Sequence, residues 1–113
     1  MLDIQSLKEF GANTEEGIAR CMGAEDFYLS LVGTVTGDKR LGELEKALAA
    51  KDLDAAFEHA HALKGMYGNL SLTPLFEPVN EMTELLRSRT DTDYSELLAK
   101  AKEKFAELRA LAE

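Results

Sequence analysis

The sequence predicts an all-α protein: an antiparallel four-helix bundle with additional short N-terminal helices. Three observations predict it. Apolar residues recur at three- and four-residue steps through most of the chain, which is the period of an amphipathic helix. No stretch shows the sustained Val, Ile and Thr alternation of a half-buried strand. The turns between the periodic segments are short, with no long polar linker, internal repeat or low-complexity tract, and short connections make successive helices antiparallel neighbours.

The first 22 residues read as one or two short helices. Ile4, Leu7 and Phe10 form the apolar face, Gly11 is the stop, and Asn13 to Glu16 is a restart. Four core helices follow, over about 24–36, 38–50, 53–68 and 73–88. Phe27, Leu31, Val32 and Val35 face inward in the first, which ends at Thr36-Gly37-Asp38. Leu41, Leu44, Ala47 and Leu48 do so in the second, closed by the turn Lys51-Asp52. Leu53, Ala56, Phe57, Ala60, Leu63 and Tyr67 make the stripe of the third, and Leu75, Val79, Met82 and Leu86 that of the fourth. Thr73-Pro74 suits an N-cap followed by proline at the first helical position. Pro78 removes an interior donor and crowds the preceding turn, so an irregular or kinked start is expected there. A long C-terminal helix from about residue 92 carries Tyr94, Leu97, Leu98, Ala101, Phe105, Leu108 and Leu111, with Asp91, Thr92 and Asp93 as cap residues.

The 113 residues amount to one domain, 1–113. The net charge is −8, from 13 basic and 21 acidic residues. That balance argues against nucleic acid as a partner, which would need a basic face, and against docking on anionic lipid. A single cysteine, Cys21, can make neither an internal disulfide nor a multi-cysteine metal site. The N-terminus lacks a basic region followed by an apolar run, and no segment approaches the roughly 18 apolar residues of a membrane span. A cytoplasmic location is expected.

The segment Phe57 to Gly68 holds the candidate chemistry. At about 100° per residue, His61 falls off the core stripe of Ala60 and Leu63. Phe57 and Gly65 lie about 40° to either side of it, Gly68 about 20° away two turns on, and Lys64 about 60° away. Glycine inside a helix costs about 1 kcal/mol relative to alanine. Two on one face strip side chains from the surface beside His61, so that another protein can approach the imidazole. Neutral imidazole is a nucleophile, and the Lys64 ammonium would offset charge on phosphoryl oxygens. A lone surface histidine with a nearby lysine is also a common arrangement, and glycines can equally mark close packing or a helix stop at Gly68-Asn69. His59 lies about 200° around the helix from His61, so the pair cannot chelate one metal. Cys21 reads as a buried apolar residue. No Walker-type phosphate loop and no Ser/His/Asp arrangement is present.

His61-Ala62-Leu63-Lys64-Gly65, followed by Gly68-Asn69-Leu70, resembles the H-x-L-K-G and N-L-G signature of histidine-containing phosphotransfer (HPt) domains. Glu16 to Cys21 with Phe27-Tyr28 and Leu31 is similar to the opening of such domains, and Leu72 to Leu75 with Glu84-Leu85-Leu86 to their next helix. The resemblance therefore covers most of the chain. It departs at Ser71, where the family often has glycine. Many members orient the histidine ring with a Gln or Glu of the following helix; the corresponding position is Thr83, with Asn80 one turn before it, and either side chain can make that bond.

The resemblance implies a histidine phosphocarrier in a two-component phosphorelay. His61 would accept a phosphoryl group from a receiver-domain aspartyl phosphate and pass it to another receiver aspartate. Lys64 would stabilise phosphate charge, and Phe57, Glu58, Gly65 and Gly68 would form the docking surface. The chain would be a phosphoprotein with no cofactor of its own, Mg²⁺ being supplied by the receiver, and not an enzyme. Expected partners are response-regulator receivers, including those of hybrid sensor kinases, met by a monomer. Two alternatives stand beside this. One is a helical adaptor that binds a receiver without phosphorylation, although degenerate modules of that kind lose the histidine. The other is the phosphoacceptor segment of a larger histidine kinase. A chain starting at Met1 and ending on a complete helix favours a stand-alone protein over the latter.

Overall fold

Three polar side chains start helices by accepting an orphan backbone N–H: Asp3 from Ser6, Asn13 from Glu16 and Asp52 from Ala55. The computed structural model, which describes residues 1–113, contains seven helices and no strand. They are α1 (Ile4–Phe10), α2 (Thr14–Arg20), α3 (Glu25–Thr36), α4 (Arg40–Ala49), α5 (Leu53–Asn69), α6 (Thr73–Arg87) and α7 (Ser95–Ala112). Gly11 closes α1 in the left-handed region at φ 111°, a conformation that suits glycine because it has no Cβ.

Short turns fold the chain back and forth. α4 packs on α5, α5 on α6 and α6 on α7, and α3 closes against α7. The C-terminal helix is thus an integral wall of the bundle, which its buried Ala101 and Leu108 require. The molecule measures 40 × 25 × 19 Å. Its core includes Leu7, Val32, Leu44, Leu63, Leu75, Met82, Leu86 and Leu108, all at most 1% exposed. α5 buries Ala56, Ala60, Leu63 and Tyr67, a stripe at four-, three- and four-residue steps that leaves the opposite face to solvent. No helix is long and apolar enough to cross a membrane.

Four local expectations are corrected. Phe27, expected on the inward stripe of the first core helix, is 55% exposed, and its neighbour Tyr28 takes the buried position. α6 runs as unbroken α-helix through Pro78, without the irregular start that a proline in the second turn suggests. Only one intrahelical bond is lost there, and Pro78 is itself buried in the core. Thr73 is the first residue of α6 and not its cap: the N-cap is Leu72, with no side-chain bond, and Pro74 sits in the first turn. α7 begins at Ser95 instead of near 92. Tyr94 is buried outside the helix, its hydroxyl donating to the Thr90 carbonyl at 2.6 Å, while Asp93 accepts from the Ser95 N–H at 2.9 Å.

The short N-terminal helices are tied to the bundle at the C-terminal end of α5. Gly17 of α2 lies directly against the Tyr28 ring, where a Cβ would overlap it. The Tyr28 hydroxyl donates to the Leu70 carbonyl at 2.8 Å, and the Asn13 N–H donates to the Ser71 carbonyl at 2.9 Å. Burial pushes the Tyr28 phenol up to about 12. The unfolded chain loses that proton near pH 10 while the folded one keeps it, so the unfolded state binds fewer protons and stability falls as pH rises from about 10 to 12. Tyr28→Phe is expected to lessen that slope, measured by urea denaturation at stepped pH, with Tyr67 and Tyr94, whose phenols burial also raises, carrying the remainder. A slope equal to the parent's would mean that Tyr28 does not carry it.

Candidate functional site

His61 is exposed on the solvent face of α5. One turn before it, the half-buried Phe57 holds its ring 5.5 Å from the imidazole, tilted by 33°. Two guanidinium groups lie over that phenyl ring, Arg87 of α6 at 5.4 Å and Arg89 at 4.7 Å. Arg89 also donates to Asp54 at 2.6 Å and stands in the left-handed region at φ 52°. Phe57 therefore links the imidazole to cations that come from beyond its own helix.

Lys64 is half-buried, and its Nζ lies 3.9 Å from the Glu84 carboxylate. Glu84 in turn accepts from Arg87 Nε at 3.1 Å. These are exposed or half-exposed pairs, each worth at most about 1 kcal/mol, so Lys64 can leave Glu84 at little cost.

The two glycines beside His61 differ. A Cβ at Gly65 would meet nothing within 4 Å, so that surface is open. A Cβ at Gly68 would stand 3.1 Å from Phe76 Cε1. Gly68 therefore lies in close contact with the Phe76 ring, the packing use of a helical glycine. Glu58 is exposed, but it does not line the groove in which His61, Lys64, Gly65 and Gly68 lie.

That groove, of about 410 Å³, runs from His61 along α5 toward α2. Its far end is made by Glu16, Arg20, Asn69, Ser71, Thr73 and Phe76. Arg20 donates to the Gly68 carbonyl at 3.3 Å and to Glu16 at 2.7 Å. Arg20, Glu84, Arg87 and Arg89 are absent from the sequence-derived site. Arg20 joins α5 across 48 residues, and no periodicity announces such a contact.

Thr83 does not orient the ring. It is fully buried, and its hydroxyl donates to the Val79 carbonyl at 2.7 Å within α6. Threonine in a helix commonly bonds back to its own preceding turn, and its side chain is too short to leave it. Asn80 is half-buried and makes no hydrogen bond to His61. No cluster of three or more His, Cys, Asp or Glu side chains that could hold a metal ion is present.

Ser71 occupies the position after α5 where helices commonly end on left-handed glycine. Its φ is 54°, Leu72 N–H donates back to the Tyr67 carbonyl at 2.9 Å, and its Oγ is buried without a partner. A left-handed L-residue costs roughly 1–2 kcal/mol, and an unpaired buried hydroxyl about 1–3 kcal/mol. Glycine's extra freedom in the unfolded chain returns only about 0.5–1 kcal/mol. Ser71→Gly is therefore expected to stabilise the fold by about 1 kcal/mol, seen as a higher urea midpoint at unchanged slope. A lower midpoint would show that the hydroxyl is bonded, for instance through an ordered water.

The family model of the Hpt domain matches residues 35–111. The chain belongs to the Hpt domain family. The match spans α4 to α7, so His61 to Gly65 and Gly68 to Leu70 lie inside the matched residues. Searches of curated proteins and of solved structures return no match. Membership of the Hpt family implies histidine phosphotransfer in phosphorelays and interaction with receiver domains. The matched segment leaves out α1, α2 and all but the last two residues of α3.

Proposed function

We propose that this Hpt domain is a phosphocarrier whose acceptor is His61, taking a phosphoryl group from the aspartyl phosphate of one receiver and giving it to the aspartate of another. The observation that carries the reading is the open surface at Gly65 beside an exposed imidazole, with Lys64 in the same groove. In the forward step the Nε2 lone pair attacks phosphorus, an N–P bond forms, and the P–O bond breaks with its electrons going to the receiver carboxylate. The ring keeps its Nδ1 proton, so the product is a phosphoimidazolium, and the return step reverses these changes. Lys64 leaves Glu84 for a phosphoryl oxygen, while Phe57 limits how far the ring turns.

The receiver brings the Mg²⁺ and most of the catalytic groups, so the chain is a carrier and not an enzyme. The reading treats 1–113 as one domain acting as a cytoplasmic monomer. Incubation with isolated receiver domains phosphorylated by acetyl phosphate tests it. The label should pass to this chain as an acid-labile, alkali-stable phosphoramidate at His61. Label on another residue, or no transfer from any receiver together with no labelling by phosphoramidate, overturns the reading.

A further inference from the structure

Resting on that phosphocarrier reading, we propose that Arg20 is a positioning residue: it engages the anionic rim of the receiver and holds the docked receiver at the groove in which His61 lies. Three observations point to it. Arg20 comes from α2, ahead of the matched residues 35–111, yet lines the same groove as His61 and Lys64. α2 is held there by Gly17 against the Tyr28 ring, which is itself bonded to the Leu70 carbonyl, and by the Asn13 N–H on the Ser71 carbonyl. The groove carries two cations, Arg20 and Lys64, against one carboxylate, Glu16, on a chain whose net charge is −8. An acidic partner bearing an aspartyl phosphate is repelled by the molecule as a whole and accepted at this groove.

The distance sets the role. The guanidinium sits at the Gly68 carbonyl, seven residues beyond His61, which is about 10 Å along the helix axis. That is too far to touch the phosphorus and suits the rim of a docked protein. Both present partners of the guanidinium release it readily. The Gly68 bond is long at 3.3 Å, and the Glu16 pair is half-exposed on both sides, where such pairs contribute little. Phe76 is the one hydrophobic side chain of the groove, so the partner's contact there is polar and a charged anchor decides its strength.

The test uses the full chain and a receiver domain phosphorylated by acetyl phosphate, with Arg20→Gln, Arg20→Glu and Arg20→Lys. The half-saturating receiver concentration should rise about fivefold for Gln and more than tenfold for Glu, with the saturated transfer rate within about twofold of the parent and the salt dependence reduced. Arg20→Lys should recover most of the loss. Labelling of His61 by phosphoramidate, which needs no docking partner, should proceed at the parental rate in all three variants. An unchanged half-saturating concentration in Arg20→Glu overturns the proposal, as does a loss confined to the saturated rate or shared with phosphoramidate labelling. A parent chain that takes label from neither donor fails the phosphocarrier reading instead, so the two failures are distinct.

Discussion

His61→Gln is expected to accept no phosphoryl group from any receiver, while its stability changes by less than about 0.5 kcal/mol, the usual range for surface substitutions. Both halves follow from geometry. The imidazole is exposed and makes no hydrogen bond that the fold needs, and its one ring contact is Phe57 at 5.5 Å. Glutamine keeps a polar side chain of similar reach but offers no nitrogen lone pair able to attack phosphorus, because its amide electrons are delocalised. His59→Gln is the matched control. His59 is half-buried on the same helix but points about 200° away from His61, so this variant should accept phosphate at close to the parental rate. Labelling from phosphorylated receivers, with urea melts of each variant alongside, checks both expectations. A dead His59 variant beside a working His61 variant would reverse the assignment.

Gly65→Leu is expected to fold as the parent does and to transfer poorly, by about a hundredfold, the loss that an ångström-scale misplacement of reacting groups can cause. The open space around a Gly65 Cβ means that a leucine meets no neighbour in the folded chain, and the helix should gain up to about 1 kcal/mol of propensity. The added side chain stands one turn from His61, where it holds the partner's aspartate away from in-line approach. Gly68→Leu should fail differently. Its Cβ meets Phe76 at 3.1 Å, so the Phe76 ring must shift to admit a leucine, and the urea midpoint reads what that shift costs before any partner arrives. Lys64→Ala leaves the surface open and removes one charge, so docking should survive while the transfer rate falls. Receiver affinity, transfer rate and the urea midpoint, measured on all three, separate steric exclusion, packing and charge. Parental transfer by Gly65→Leu would show that the open surface is not where a receiver docks.

The sequence by itself determined the helices and the face on which His61 lies. Their periodicity is a local property: residues three and four apart share a side of any α-helix, so Ala56, Ala60, Leu63 and Tyr67 had to be one stripe and His61 had to be off it. The restart at Asn13 and the Gly11 stop are equally local, and both stand in the structure. Where the local signal competed with packing it misled. Pro78 is carried through an unbroken helix, its ring buried in the core. The turns at Lys51, Ser71 and Arg89 enter the left-handed region without glycine, which nothing in their residue types announces.

Tertiary structure alone decided what surrounds His61. Only the packing of α5 against α6 separates the two glycines into an open surface and a seat for Phe76. Only the fold brings Arg87 and Arg89 over Phe57 and Glu84 to Lys64. Arg20 reaches the groove because Gly17, Tyr28 and Asn13 lock α2 to the end of α5. Such contacts join residues dozens of positions apart, and they depend on how helices cross. Periodicity within one helix carries no information about that crossing.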